Sequence, residues 1–183
     1  MADRDFQSSV ESHLTFMYNV AYRMLGNAQD AEDATQEALL SAYRNWGSFR
    51  GDSRITTWLY RITVNAALMR LRKDKNARAL TQTGEEMPDL PDLSEGPEQA
   101  AVNSELREKL QDGLNQLPAD MRAAVVLRDV QGLSNEEAAD ALSISVPAFK
   151  ARLHRGRVML RQFLTHYVQE HKAEEEREKA DLT

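Results

Sequence analysis

Apolar residues recur at helical spacing along almost the whole chain, and no alternating run of β-branched residues is long enough to make a strand. That confines the fold to the all-α class. Leu14, Met17, Ala21 and Met24 mark a first helix that stops at the Gly26-Asn27 turn. A second runs from about Asp30 to Trp46 and ends in the glycine-bearing loop GSFRGDS. A third begins near Thr56, carries Trp58, Leu59, Ile62, Ala66 and Met69, and runs into the cationic stretch RLRKDKNAR. The pattern then breaks. Residues 81–97, TQTGEEMPDLPDLSEGP, hold three of the five prolines, two glycines and an acidic excess, the composition of a flexible linker. Helical periodicity resumes at Glu98. Two small helical domains are therefore expected, 1–80 and 98–170, on a tether that reaches on the order of 65 Å when extended. The highly charged residues 171–183 read as a frayed helix or a disordered tail.

Composition removes several functions. The absence of cysteine excludes disulfides, thiolate zinc sites and thiol catalysis. The opening MADRDFQSSVES has no cationic segment leading into an apolar run, and no apolar stretch approaches the ~18 residues of a membrane span, so a cytoplasmic chain without membrane insertion is expected. A net charge of -6 argues against a protein that coats nucleic acid unaided. Any DNA contact has to be local.

One segment meets that condition. Ser145–Phe163 contains Lys150, Arg152, Arg155, Arg157 and Arg161 and no acidic residue. It follows a helix opened by Ser134 and Glu137, which form a capping box that satisfies two backbone N–H groups of the helix start. That helix ends by Ser143, and Ser145 can cap the next one with Pro147 in its first turn, which is helix-turn-helix spacing. On the second helix Phe149, Leu153, Gly156, Leu160 and Phe163 fall on one side, with Lys150, Ala151, His154, Arg155 and Arg161 on the other. The basic face suits duplex DNA. No second histidine lies at ligand spacing in this helix, so His154 reads as a base or phosphate contact rather than a metal ligand.

The N-terminal half carries a different pattern. Asp30, Asp33 and Glu37 lie within about 60° of one another on their helix, a self-repelling stripe that calls for a compensating group. A solvated face, a carboxylate metal cage and a dock for a basic partner helix all fit it. The cage needs a second acidic helix opposite the first, and residues 1–80 contain none. On the third helix Trp58, Arg61, Asn65 and Arg72 share one stripe, the mixture expected where a protein holds unstacked bases and their phosphates.

Together these motifs resemble the bacterial RNA polymerase sigma factors of the extracytoplasmic-function group. AYRMLGNAQDAEDATQEALLSAYRNWGSFRGDSRITTWLYRITVNAALMRLRK is similar to that family's polymerase-binding and promoter-melting domain, and LPADMRAAVVLRDVQGLSNEEAADALSISVPAFKARLHRGR to its promoter-reading helix-turn-helix domain. The resemblance implies a non-enzymatic initiation factor without cofactor or metal. Its partners would be core RNA polymerase, promoter DNA and an anti-sigma factor. Asp30, Asp33, Gln36 and Glu37 would meet the clamp coiled coil of the polymerase beta-prime subunit. Phe49, Arg50, Gly51, Asp52 and Ser53, with Trp58, Arg61 and Asn65, would take the minus-ten strand, and Arg70, Arg72 and Lys73 its backbone. Arg128, Lys150, Ala151, His154 and Arg155 would read the minus-thirty-five element. Ala151, Phe149 and Asn135 depart from the residues common at those positions, which leaves the promoter sequence open. The competing readings are a stand-alone helix-turn-helix repressor, which would dimerise and bind duplex without polymerase, and a metal-dependent nucleotide hydrolase.

Overall fold

The computed structural model describes residues 2–49, 54–78 and 97–181; Arg50, Gly51, Asp52 and Ser53 and nearly all of the expected linker lie outside the described residues. Among the described residues eight α-helices follow in order: α1 (Ala2–Glu11), α2 (Leu14–Leu25), α3 (Ala28–Asn45), α4 (Ile55–Arg78), α5 (Pro97–Gln116), α6 (Ala119–Val125), α7 (Asn135–Ala141) and α8 (Val146–Asp181). A 3-10 turn, Trp46–Ser48, follows α3, and a π-helical turn, Val126–Val130, continues α6. No strand occurs among the described residues.

The α2–α3 turn shows how local chemistry sets the frame. Gly26 adopts φ 81°, where a side chain is disfavoured, and its N–H bonds to Tyr22 O to close α2. The Asn27 side chain then accepts from the Asp30 N–H at 2.9 Å. Asn27 is thus the cap, and α3 starts at Ala28, ahead of the expected Asp30. Along α3, Ala31, Ala34, Ala38 and Ala42 are buried, and these small side chains let α2 and α4 approach closely. Helix α1 was not legible beforehand. It packs through Val10, buried beside Met17, Ala38, Ala42 and Leu59, and through Phe6, whose ring meets Tyr43 and Trp46 edge-on at 5.3 Å each.

In the C-terminal half α6 and α8 cross at Gly156, where a Cβ would come within 2.9 Å of Val125 Cγ2 and 3.1 Å of the Met121 carbonyl. The capping box is present: Glu137 N–H bonds to Ser134 Oγ at 3.0 Å and Ser134 N–H to Glu137 Oε2 at 2.9 Å. Between α7 and α8 the chain turns through Ser143 at φ 55°, and the Ala148 N–H donates to Ser145 Oγ at 3.3 Å. Phe149 and Leu153 point into the core while Lys150, Ala151, His154 and Arg155 face outward. Helix α8 continues to Asp181, so the charged terminal segment is helical almost to its end.

The two halves share one core. Val20, Met24, Val64 and Ala67 pack with Leu114, Leu117, Ala123, Val125 and Leu127, so the tethered domains lie against each other. Phe149 has no exposed surface within that core. Phe149→Ala should cost about 3–5 kcal/mol in urea unfolding, against less than about 0.5 kcal/mol for Gln162→Ala on the outer face. Equal, small losses would show that the ring does not carry the packing.

Candidate nucleic-acid interface

The basic face of α8 is built from three elements. Arg128 comes from the π-helical turn, Asn135 opens α7, and Lys150, Leu153, His154 and Arg157 come from α8; together they line an open basin of about 220 Å³. The structure thus brings three expected residues, Arg128, Lys150 and His154, to one concavity. Ala151 and Arg155 stand exposed on the same helix outside its lining, and Arg155 Nε donates to the Ala151 carbonyl at 3.3 Å. Two further basin residues were noted in the sequence but not placed among the contact residues. Arg157 is held by Asp129 through two hydrogen bonds, at 2.9 and 2.5 Å, and that bond keeps its guanidinium above the usual arginine range. Asn135 Oδ1 is buried without a partner, an acceptor facing a strongly basic surface. Its place at the first position of α7 was readable; its burial was not.

On α4 the expected stripe runs along one side. Trp58 joins Phe49 at 5.1 Å and Trp46 at 6.1 Å in an aromatic cluster. Trp46 and Phe49 are themselves stacked, 5.8 Å apart. Asn65, Arg72 and Lys73 are exposed, and the Asn65 amide makes no hydrogen bond among the described residues. At about 1.5 Å per residue, Trp58 to Arg72 spans roughly 21 Å, enough for several nucleotides. Arg61 is occupied: its Nη2 lies 2.8 Å from Asp140 Oδ1 and 2.9 Å from the Asp140 carbonyl.

Arg70 departs from its expected place beside Arg72 and Lys73. It turns onto the acidic stripe of α3, meeting Asp30 at 3.0 Å, Asp33 at 2.7 Å and Glu37 at 3.4 Å. Partial burial alone would lower its pKa, but the hydrogen bond to Asp30 and the charges of all three carboxylates raise it, so the positive charge is fixed. This guanidinium is the compensating group that the stripe calls for. The carboxylates that a metal cage would use already hold a cation, and among the described residues no group of three or more His, Asp or Glu could hold a metal ion. Asp30 is largely consumed by Arg70. Gln36 and Glu37 remain exposed, and the apolar Leu40, 56% exposed, extends the same face in a way that the sequence reading passed over.

An acidic α3 face, an aromatic-flanked polar stripe on α4 and a basic helix-turn-helix define three surfaces of distinct chemistry. Residues 9–77 match Sigma-70 region 2, and residues 107–160 match Sigma-70 region 4. The chain belongs to the extracytoplasmic-function sigma factors. It is 37% identical to the sigma factor SigE of Mycolicibacterium smegmatis over 88% of its own length and 62% of that protein's. It is 36% identical to SigW of Bacillus subtilis over 88% of its own length and 90% of that sigma factor's. The fold is shared with the sigma factor RpoE of Bartonella quintana, solved with the anti-sigma factor NepR, at a TM-score of 0.73 and 24% identity over 88% of this chain and 98% of that one. CnrH, solved with the cytosolic domain of CnrY, shares it at a TM-score of 0.64 over 90% of each chain.

The Arg70 cluster has a measurable consequence. Arg70→Met leaves three carboxylates on one helix face without their cation, and because the pairs are partly exposed the loss should be about 1 kcal/mol. Added salt screens the repulsion that remains, so the deficit should shrink between low and high ionic strength in urea unfolding. A salt-independent deficit would assign the loss to packing instead.

Proposed function

We propose that this chain binds core RNA polymerase and directs it to promoters whose two elements are read by its two halves. The observation that carries the reading is the outward face of α8, where Lys150, His154 and Arg155 stand exposed above the buried Phe149 and Leu153. In a chain of net charge -6 such a face is kept for an anionic ligand. A recognition helix set into the major groove by its helix-turn-helix partner points these side chains at base edges and phosphates of the minus-thirty-five element.

Trp58 with Phe49 offers stacking surface, and Asn65 offers an unengaged amide to the polar edge of a base extruded from the minus-ten strand. Arg72 and Lys73 supply backbone contacts farther along α4. Polymerase docking falls to Gln36 and Glu37 with Leu40, an acidic and apolar face complementary to a basic coiled coil of the clamp in the beta-prime subunit. Polymerase then supplies the affinity that a small acidic factor lacks, and the two DNA surfaces supply selectivity. The factor catalyses no reaction itself.

An anti-sigma partner belongs to this reading, since the sigma factor RpoE that shares the fold was solved bound to one. No helix among the described residues is long and apolar enough to cross a membrane, which agrees with action in the cytoplasm, where polymerase is found. The repressor alternative gains no specific support.

Arg155 is the first choice for a guanine contact, because its planar fork can bond two acceptors at once. Holoenzyme carrying Arg155→Ala should lose roughly 1–3 kcal/mol at one base pair of the minus-thirty-five element in a promoter-library selection. Lys150→Ala should weaken binding evenly across sequences. A selected minus-thirty-five preference identical to wild type would remove α8 as the reader.

A further inference from the structure

Met69 does not sit where its apolar character would send it. Sequence grouped it with Leu59, Ile62 and Ala66 as packing residues of α4. Leu59 is buried, but Met69 is 67% exposed, the most exposed of the large apolar side chains among the described residues. The inner side of α4 is taken by other residues. Val64 and Ala67 fill it, with Leu68 and Leu71 packed alongside. At 100° per residue Met69 lies about 140° around the helix from Val64 and about 160° from Ala67.

Its neighbours on the outer side are polar. Asn65 stands one turn before it, and Arg72 and Lys73 one turn after, all three exposed. Arg70, the adjacent cation, has turned away onto the carboxylates of α3. The stripe thus reads amide, thioether, then two cations. A single exposed methionine on an ordinary surface calls for no explanation. One set between an unengaged amide and two free-standing cations, on the face proposed for the minus-ten strand, has a use there.

We propose that Met69 is a specificity-determining residue of that face, making apolar contact with the 5-methyl group of a thymine one or two steps from the base that Asn65 takes. The inference rests on the minus-ten reading of α4. Of the groups that bases present on their major-groove edges, only the thymine methyl is apolar; the rest are nitrogen and oxygen donors and acceptors. A thioether aimed at base edges therefore favours thymine. Cytosine would bring its N4 amino group to the same point and lose water with no hydrogen bond in return. Spacing agrees. Asn65 and Met69 are separated by about 6 Å along the helix axis, which is under two base steps of ~3.4 Å. Arg72 and Lys73 follow about 4.5 and 6 Å farther on, where they can hold phosphates of the same strand and keep the base edge turned toward the thioether. The unbranched methionine side chain adapts to a methyl group better than a stiffer one would.

Thymine and uracil differ by that methyl group alone, which makes the test direct. A promoter fragment is first selected from a random library by holoenzyme containing the wild-type chain. Each thymine of its minus-ten element, on either strand, is then replaced singly by uracil. Wild-type holoenzyme should bind about fourfold more weakly when one particular thymine is replaced, the change expected for one buried methyl group. Met69→Ala removes no core contact, and holoenzyme carrying it should show no penalty at that position. Met69→Leu, which keeps an apolar contact, should retain most of it. A library selection with Met69→Ala should likewise lose the thymine preference at that position and no other. No uracil penalty at any position, or one that Met69→Ala leaves unchanged, overturns the inference. So does an even loss of affinity across all sequences, which would make Met69 a stacking surface that reads no base. A weakened affinity for core polymerase with promoter preference intact would place Met69 against protein and overturn it as well. Asn65→Ala separates the two levels: if it too leaves the selected minus-ten element unaltered, the reading of α4 fails as a whole, whereas an altered element with Asn65→Ala and none with Met69→Ala removes the methionine contact alone.

Discussion

A buried guanidinium joins the ends of two helices in this protein, and the packing of the two halves is arranged around it. Among the described residues Arg122 has no carboxylate partner. Its hydrogens go to the carbonyls of Met24, in the last turn of α2, of Asn115, in the last turn of α5, and of Leu117 just beyond. The final carbonyls of a helix lack intrahelical donors and carry its negative dipole end, so one cation here satisfies two helix termini. Desolvation lowers the Arg122 pKa, as expected for a charge balanced by dipoles alone, and Nε is left without a partner. Gly26 makes this approach possible. A side chain there would adopt a disfavoured φ and would also come within 2.7 Å of Asn115 Oδ1.

Charge is handled differently at the surface. The stripe of Asp30, Asp33 and Glu37 is gathered by Arg70, which converts a self-repelling face into an ordered one and leaves Gln36 and Glu37 outermost. On α8 no such gathering occurs. Asp129 takes Arg157, but Lys150, His154 and Arg155 keep their exposed face. The contrast separates the three surfaces by chemistry: acidic and internally balanced on α3, aromatic and polar on α4, basic and unbalanced on α8. An exposed ion pair such as Arg61–Asp140 is worth roughly 0–1 kcal/mol. The shared apolar core and Arg122 therefore hold the two halves together.

Much of this was legible because its chemistry is local. The capping box at Ser134 and Glu137, the turn at Ser143 and the split of α8 into Phe149/Leu153 and Lys150/His154 faces all depend on residues within a few positions of one another. Helix α1 was hidden because Phe6 and Val10 alone give a weak stripe, and their burial depends on Tyr43, Trp46 and Met17. Arg70 was misplaced by its neighbours Arg72 and Lys73; its real partners lie 33 to 40 residues earlier in the chain. Arg122 left no trace at all, since its acceptors are backbone carbonyls, one of them 98 residues away. The packing of the two halves was equally silent, because the linker permits both the joined and the separated arrangement.

The most direct measurement of the account is run-off transcription with purified core RNA polymerase on fragments of the source genome. Discrete transcripts should arise only when this chain is added, each from a start site preceded by two elements at constant spacing. Polymerase that initiates no differently with the chain than without it, while the chain binds duplex by itself as a dimer, would contradict the account and return the helix-turn-helix to the role of a repressor.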